Sequence, residues 1–249
     1  MANHFPLRLV GSRMLAPMVR HLDFARADGQ PLDFIPGQFI QVHFNMPDGS
    51  PSKRSYSLAT IHDHALGPGE QVEIAVSYVP GGAATALFAA LDEGQQIQAS
   101  GPYGRFCLGA ADSNRRYLLI GTGTGITPYR AMLPQLAQMM ATRALEIVML
   151  FGARTPAELI YGEDFYAFAA AHPGFRFVPC FSRELPADAH ADVRRGYVQD
   201  TLHEFSPDAA GDIAYLCGNP NMVDAAFEAL KGCGLPVPHI RREKYVSSK

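Results

Sequence analysis

Arg54, Tyr56 and Ser57 stand together in the stretch RSYSLAT (54–60), which otherwise reads as a β-strand: short, rich in β-branched and aromatic types, and followed by polar turn residues. A plain barrel strand has no need of a cation and two hydroxyls side by side. On a regular strand Arg54 and Tyr56 share one face, Ser55 and Ser57 the other. A cation suits a phosphate and an aromatic beside it suits a flat ring, so the stretch reads as part of a site for a ringed phosphate ligand. PGGAAT (80–85) places two glycines before a helix and a hydroxyl, Thr85, in its first turn. That is the chemistry of a phosphate cradle, which Arg54 could serve from the neighbouring strand, and equally that of a β-turn in which Thr85 starts a helix.

A second glycine run, GTGTGITP (121–128), joins an apolar strand to a helix in which Pro128 suits the first turn. Glycines there let the backbone approach a pyrophosphate, and a helix N-terminus offers free N–H groups. Counted from Gly121, Ile126 holds the third glycine position of G-x-G-x-x-G, so the run also fits a strand-to-helix turn without a ligand. A strict dinucleotide fingerprint would set an acid at the end of the next strand to hold a ribose 2′-hydroxyl. That strand ends FGAR at Arg154, with Glu146 at its opposite end, and the third strand ends FSRE with Ser182 and Arg183. Arginine with a hydroxyl suits a phosphate better than a ribose hydroxyl, although either arginine alone also reads as a solvated surface charge.

The elements that must position these groups fall into two textures. Up to about residue 110 short strands alternate with turns: 37–44, 53–60, 71–79 and 95–100 are the clearest strands, PDGS (47–50), GPGE (67–70) and GPYG (101–104) the turns. One helix, 83–94, interrupts them, with Gly94 as its stop. This spacing suggests a small antiparallel barrel or sandwich. After ADSNRR (111–116) apolar strands at 117–123, 144–153, 175–182 and 212–220 alternate with helices from Pro128, near 162–171, near 199–205 and over 222–234, the last with Gly232 near its cap. That alternation means a parallel sheet covered on both faces. The division expected is 1–112 and 113–249.

With 249 residues, 47% of them hydrophobic, the chain is long enough for two ordinary domains. A net charge of −3 argues against a general nucleic-acid binder, although Arg241, Arg242, Lys244 and Lys249 crowd the C-terminus against Glu243. No apolar run reaches the roughly 18 residues of a membrane span, and the N-terminus lacks the pattern of a secretory signal. Cys107, Cys180, Cys217 and Cys233 form no C-x-x-C pair, so neither an iron–sulfur cluster nor a structural zinc is expected, and the cytoplasm with reduced thiols is the default.

Four motifs in order carry a likeness across essentially the whole chain: RSYS (54–57), PGGAAT (80–85) followed by GPYGRF (101–106), GTGTGITP (121–128) and CGNPNMV (217–223), with REKY (242–245) near the end. The chain resembles the ferredoxin–NADP⁺ reductase family of flavoproteins, and its short polar barrel loops look more like the bacterial branch than the plastid one. The resemblance implies an antiparallel six-stranded β-barrel carrying FAD, then a doubly wound α/β domain carrying NADP(H). Arg54 would neutralise the FAD pyrophosphate together with the backbone N–H groups of Ala83, Ala84 and Thr85. Ser55 belongs to the same motif; Tyr56 would stack on one flavin face and Ser57 would set its hydroxyl near flavin N5, which asks for a bend after Tyr56. Ala75, Val76 and Ser77 would line the flavin, and Tyr245 would cover its other face and move aside for nicotinamide.

Gly123, Thr124 and Gly125, with Gly218, Asn219 and Pro220, would form the NADP loops, Thr124 reaching toward both cofactors. Cys217 would pack where nicotinamide stacks, and Glu243 would polarise that environment or relay a proton through Ser57. The implied activity is hydride transfer between NADP(H) and FAD and single-electron transfer between FAD and an acidic carrier, ferredoxin or flavodoxin, by a monomer without nucleic acid, membrane or metal.

Three features depart from the family pattern: VSSK (246–249) follows the terminal aromatic and could fold over the adenine side of FAD; Pro134 should kink or break the helix after the glycine loop; and in RRGYVQD (194–200) Arg194 and Arg195 precede the glycine, from where they could still reach a 2′-phosphate. Two other readings stand beside the reductase: an NADH-dependent reductase component of an oxygenase, and a flavin electron-transfer subunit without a working nucleotide site.

Overall fold

In β1 (His4–Ala16) Phe5, Leu7 and Leu9 are buried in alternation until a register shift between Leu9 and Gly11. The chain returns as β2 (Val19–Arg26), and β3 (Phe39–Asn45), β4 (Pro51–Ser57), β5 (Gln71–Ser77) and β6 (Gln96–Tyr103) complete a six-stranded antiparallel sheet in the order β4-β3-β6-β1-β2-β5. The computed structural model describes residues 3–64, 66–67, 69–109 and 112–246. Its two edges meet where Leu58 bridges Ile74 and Ala59 N–H donates to Glu73 O at 2.8 Å, so the sheet closes on itself. One helix, α1 (Ala83–Ala89), follows β5, and its Phe88 is fully buried among Leu22, Ile40, Leu58, Ile74 and the other inward residues. The helix expected over 83–94 therefore stops early: Ala90 caps it, and Gly94 (φ +88°) turns the chain toward β6 instead.

The second sheet is parallel throughout, in the order β10-β9-β8-β7-β11-β12. Its strands are β7 (Arg116–Thr122), β8 (Glu146–Ala153), β9 (Phe175–Phe181), the two-residue β10 (Arg194–Arg195), β11 (Asp212–Gly218) and β12 (Ile240–Lys244). The helices between them are α2 (Thr127–Thr142), α3 (Gly162–Ala171), α4 (Val198–Thr201) and α5 (Pro220–Gly232). β11 is buried at every position, as a strand covered on both faces must be. Strand order runs one way from β7 to β9 and the other from β11 to β12, so the sheet reverses between β7 and β11, and ligands of such sheets bind at the carboxyl ends there. Among the described residues no helix is long and apolar enough to cross a membrane.

Contacts group the chain into two units, one of residues up to Leu108 with Thr127–Pro134, the other of Gly109–Ile126 with Gln135–Val246. Of the kink or break expected at Pro134, the break does not occur: α2 runs on to Thr142. Proline costs roughly 3 kcal/mol in a helix interior, but Ala131, Met132, Leu133 and Leu136 around it are buried, and burying one such large side chain returns about 1.5–3 kcal/mol.

Candidate functional site

In the first unit β4 pairs with β3 from Asn45–Pro51 to Phe39–Ser57 without a shift. Arg54 is half-buried; its Nη1 donates to Ser52 Oγ at 3.0 Å and to Lys53 O at 2.9 Å, and its guanidinium lies 5.7 Å over the Phe44 ring. Tyr56 meets Phe88 edge-on at 5.2 Å, and burial pushes its phenol pKa well up, so at neutral pH it is an uncharged ring. On the face opposite Arg54 and Tyr56, Ser55 is exposed and Ser57 is buried. The bend expected between Tyr56 and Ser57 leaves no mark on the pairing; the change comes one residue later, where Leu58 leaves β3 for β5. Phe88, which seats Tyr56, was not singled out in the sequence, where it reads as one more apolar position of a short helix.

Ala75 and Val76 are buried on β5 and Ser77 is exposed. Gly81 (φ +74°) takes a backbone conformation that only glycine adopts at no cost, and Gly82 caps α1. The hydroxyl of Thr85 accepts from Val79 N–H at 2.8 Å, so Thr85 braces the turn while the first-turn amides of Ala83, Ala84 and Thr85 have no acceptor within the helix.

Arg130 of α2, grouped with this unit, donates to Ala59 O at 2.6 Å and to the Glu73 carboxylate. Glu73 stands 3.7 Å from His21, which is itself 2.6 Å from Asp23. Among the described residues this His21–Asp23–Glu73 group has the spacing of metal ligands, and the Arg130 cation already faces its carboxylate.

In the second unit Gly123 (φ +54°) opens a 3₁₀ turn, Gly123–Ile126, that feeds α2, with Thr124 half-buried on it. Gly125 has no room for a side chain: a Cβ would lie 2.5 Å from Gly218 Cα and 2.6 Å from Cys217 C. Gly218 (φ +125°) is confined in turn by Thr122, whose hydroxyl accepts from Asn219 N–H at 3.1 Å. Asn219 caps α5 through Asn221 N–H at 2.9 Å, and Pro220 is the helix's first residue. The two glycine loops thus clasp at the reversal point, with Gly125 and Gly218 buried and Gly123 and Asn219 exposed at the mouth, which fits a dinucleotide that must approach main chain closely.

Cys217 is fully buried, opposite Gly121 on β7 and Glu243 on β12. Burial first, then the Glu243 charge, raise its thiol pKa well above the usual value, against a hydrogen bond from Tyr245. It is therefore a neutral thiol at physiological pH. The tail REKY becomes strand: Tyr245 N–H donates to Gly218 O at 2.8 Å, continuing the ladder past Lys244. Residues 247–249 of the VSSK extension lie outside the described residues.

At the far side of this sheet the carboxyl ends of β8, β9 and β10 are neighbours. Ser182 N–H donates to Ala153 O at 3.0 Å, Arg183 N–H to Arg154 O at 2.9 Å and Gly196 N–H to Phe181 O at 2.9 Å, which brings Arg154, Ser182, Arg183 and Arg195 to one edge. Arg194 is turned away onto Glu204 at 2.8 Å.

Models of an oxidoreductase FAD-binding domain and an oxidoreductase NAD-binding domain match residues 6–107 and 119–228. Ferredoxin–NADP reductase B of Sorangium cellulosum is 36% identical over 98% of this chain and 98% of its own length. The chain belongs to the ferredoxin–NADP reductase family. It is an FAD- and pyridine-nucleotide-dependent oxidoreductase of that family, with FAD assigned to the antiparallel barrel and nucleotide to the parallel sheet. The reductase subunit of an Amycolatopsis aromatic O-demethylase is also 36% identical, over 87% of this chain, but the chain spans only 62% of that relative. An Amycolatopsis cytochrome P450 reductase has the same fold, with a TM-score of 0.83 and 32% identity over 98% of this chain and 70% of that one. The family's reductases thus include ones as long as this chain and ones half as long again.

Proposed function

We propose that this chain is an NADPH-dependent reductase of an acidic one-electron carrier, a ferredoxin or flavodoxin, working as a cytoplasmic monomer. The observation that carries the reading is the cluster of Arg154, Ser182, Arg183 and Arg195 on the carboxyl ends of adjacent parallel strands. Three guanidinium groups and a hydroxyl suit a 2′-phosphate, which NADPH carries and NADH lacks. The relative of equal length and the exposed Arg241 and Arg242 on β12 support it further, since basic groups steer acidic carriers.

When bound, NADPH and FAD supply hydride transfer between nicotinamide and flavin and onward single-electron transfer. The protein's part is to hold and orient. Arg54 and the α1 amides of Ala83, Ala84 and Thr85 would bind the FAD pyrophosphate, and Tyr56, Ala75, Val76 and Ser77 would bound its ring, with Ser55 in the same motif. Ser57 would place its hydroxyl near flavin N5. Gly123, Thr124, Gly125, Gly218, Asn219 and Pro220 hold the nucleotide backbone. Cys217, as a neutral thiol, would pack where nicotinamide stacks without competing as a nucleophile. Glu243 would polarise that environment or relay a proton through Ser57, and Tyr245 would cover the flavin and move aside for nicotinamide.

A second reading, an NADH-dependent reductase component of an oxygenase, is favoured by one observation: Arg154 is already paired with Glu158. Anaerobic titration of the purified protein with NADPH and with NADH, followed by visible absorbance, decides between them. Bleaching of the flavin by NADPH at far lower concentration supports the first; a strong NADH preference removes the phosphate role of Arg154, Ser182, Arg183 and Arg195.

A further inference from the structure

The strand end that lacks an acid in sequence acquires one in the fold. After Arg154 the chain turns through a 3₁₀ segment, Pro156–Glu158, pinned by Glu158 N–H donating to Thr155 O at 3.0 Å. This brings the Glu158 carboxylate back over Arg154. Its Oε2 accepts from Arg154 Nε at 2.9 Å and from the Arg154 backbone N–H at 3.2 Å, and its Oε1 lies 2.5 Å from Nη2. The carboxylate is therefore fixed by main chain as well as by charge. It fills the Nε–Nη2 edge of the guanidinium, a fork that binds carboxylate and phosphate in the same bidentate way. Arg183 also bears on it electrostatically.

We propose that Glu158 is a specificity-determining residue of the nucleotide site: its carboxylate competes with a 2′-phosphate for the Nε–Nη2 edge of Arg154 and so narrows the preference for NADPH over NADH. The inference rests on the proposed phosphate role of the Arg154 cluster. A nucleotide 2′-phosphate must displace the carboxylate or settle for the remaining edge, with a negative charge as neighbour. A ribose 2′-hydroxyl meets no such opposition, and an acid at the end of this strand is the group that accepts from it in dinucleotide folds. The pair thus reads both nucleotides, guanidinium against phosphate and carboxylate against hydroxyl.

Glu158→Gln keeps the shape and removes the charge. The ratio of kcat/KM for NADPH to that for NADH should rise about three- to tenfold, the effect of one charge in a partly exposed setting. By titration calorimetry, binding of 2′,5′-ADP should tighten relative to 5′-AMP by a similar factor. Glu158→Ala should move both ratios in the same direction, which guards against an effect of the introduced amide. Arg154→Leu tests the reading underneath. If Arg154→Leu lowers the preference for the phosphate while Glu158→Gln leaves it unchanged or lowers it, Glu158 serves only to position Arg154 and the proposal is overturned. If Arg154→Leu changes neither ratio, this edge does not read the phosphate and both readings fall.

Discussion

Tyr245 is bonded twice to the end of β11: its backbone N–H donates to Gly218 O at 2.8 Å, and its phenol hydrogen-bonds to the thiol of Cys217. The aromatic that closes the REKY motif is thus held by the residue that opens the CGNP motif. In the proposed mechanism nicotinamide must displace this ring, so the hydrogen bond opposes nucleotide entry. Tyr245→Phe keeps the ring and removes the bond, worth about 0.5–1.5 kcal/mol. Apparent NADPH affinity, read by equilibrium titration, should tighten about two- to tenfold, and further in Tyr245→Ser. Unchanged affinity in both variants would show that Tyr245 is not the gate.

The four cysteines should separate by reactivity. Cys233 is exposed and Cys107 half-buried, whereas burial pushes the Cys180 thiol up to about 11 and holds Cys217 higher than its usual value. Thiolate is the reactive form, so alkylation near pH 7.5 should mark Cys233 first and leave Cys180 and Cys217 unmodified until the protein unfolds. Peptide mass spectrometry across a time course reads this directly. Labelling of Cys217 as fast as Cys233 would mean that its end of β11 opens in solution.

Arg54 is held ready by Ser52 Oγ and Lys53 O rather than by an acid. Among the described residues no carboxylate pairs with it, so in the proposed role none has to be displaced for a pyrophosphate. Arg54→Ala should weaken FAD retention by roughly 1.5–3 kcal/mol, the range for a hydrogen bond to a charged group. Fluorescence of released flavin on dilution measures it, and a variant retaining FAD as tightly as the parent would remove Arg54 from the site.

His21 provides a pH signature. Burial lowers its imidazole pKa below the ordinary 6.5, with Arg13 reinforcing and Asp23 and Glu73 opposing. A group with a depressed folded value binds its proton more readily when unfolded, so its contribution to stability is present above about pH 6.5 and is lost as pH falls toward the folded value. Unfolding free energies from urea titrations should therefore decline below pH 6.5 with a slope of at most about 1.4 kcal/mol per pH unit from this group. His21→Gln should flatten that part of the profile; an identical slope in the variant would assign the loss to other residues.

Much of this fold is legible in the residue order. The parallel sheet announces itself because strands buried on both faces are continuous apolar runs, and the glycine loops because backbone crowding leaves no other residue possible at Gly125 and Gly218. β1 and β2 were harder. Alternation in β1 fails at the Gly11 shift, and β2 buries a histidine, His21, where the pattern asks for an apolar side chain. β12 gives no signal at all: four of the five residues in IRREK are charged, only Ile240 is buried, and the segment is a sheet edge defined by its partner. Glu158 gives no signal in the sequence because a carboxylate five residues past a strand returns to that strand's end only through a tight turn, and turn geometry is not written in residue types alone.

The grouping of Thr127–Pro134 with the barrel has a consequence for modularity. A chain ending at residue 112 would contain every strand of the barrel yet lack a stretch of helix that packs with them, including the Arg130 cation that neutralises Glu73. A carboxylate left without its cation at a largely buried position costs several kcal/mol. The barrel is therefore not a detachable cartridge: the segment that completes it is spelled in the chain after the second sheet has begun, and exchange of halves between related reductases would have to carry that helix with the barrel or match its sequence to it.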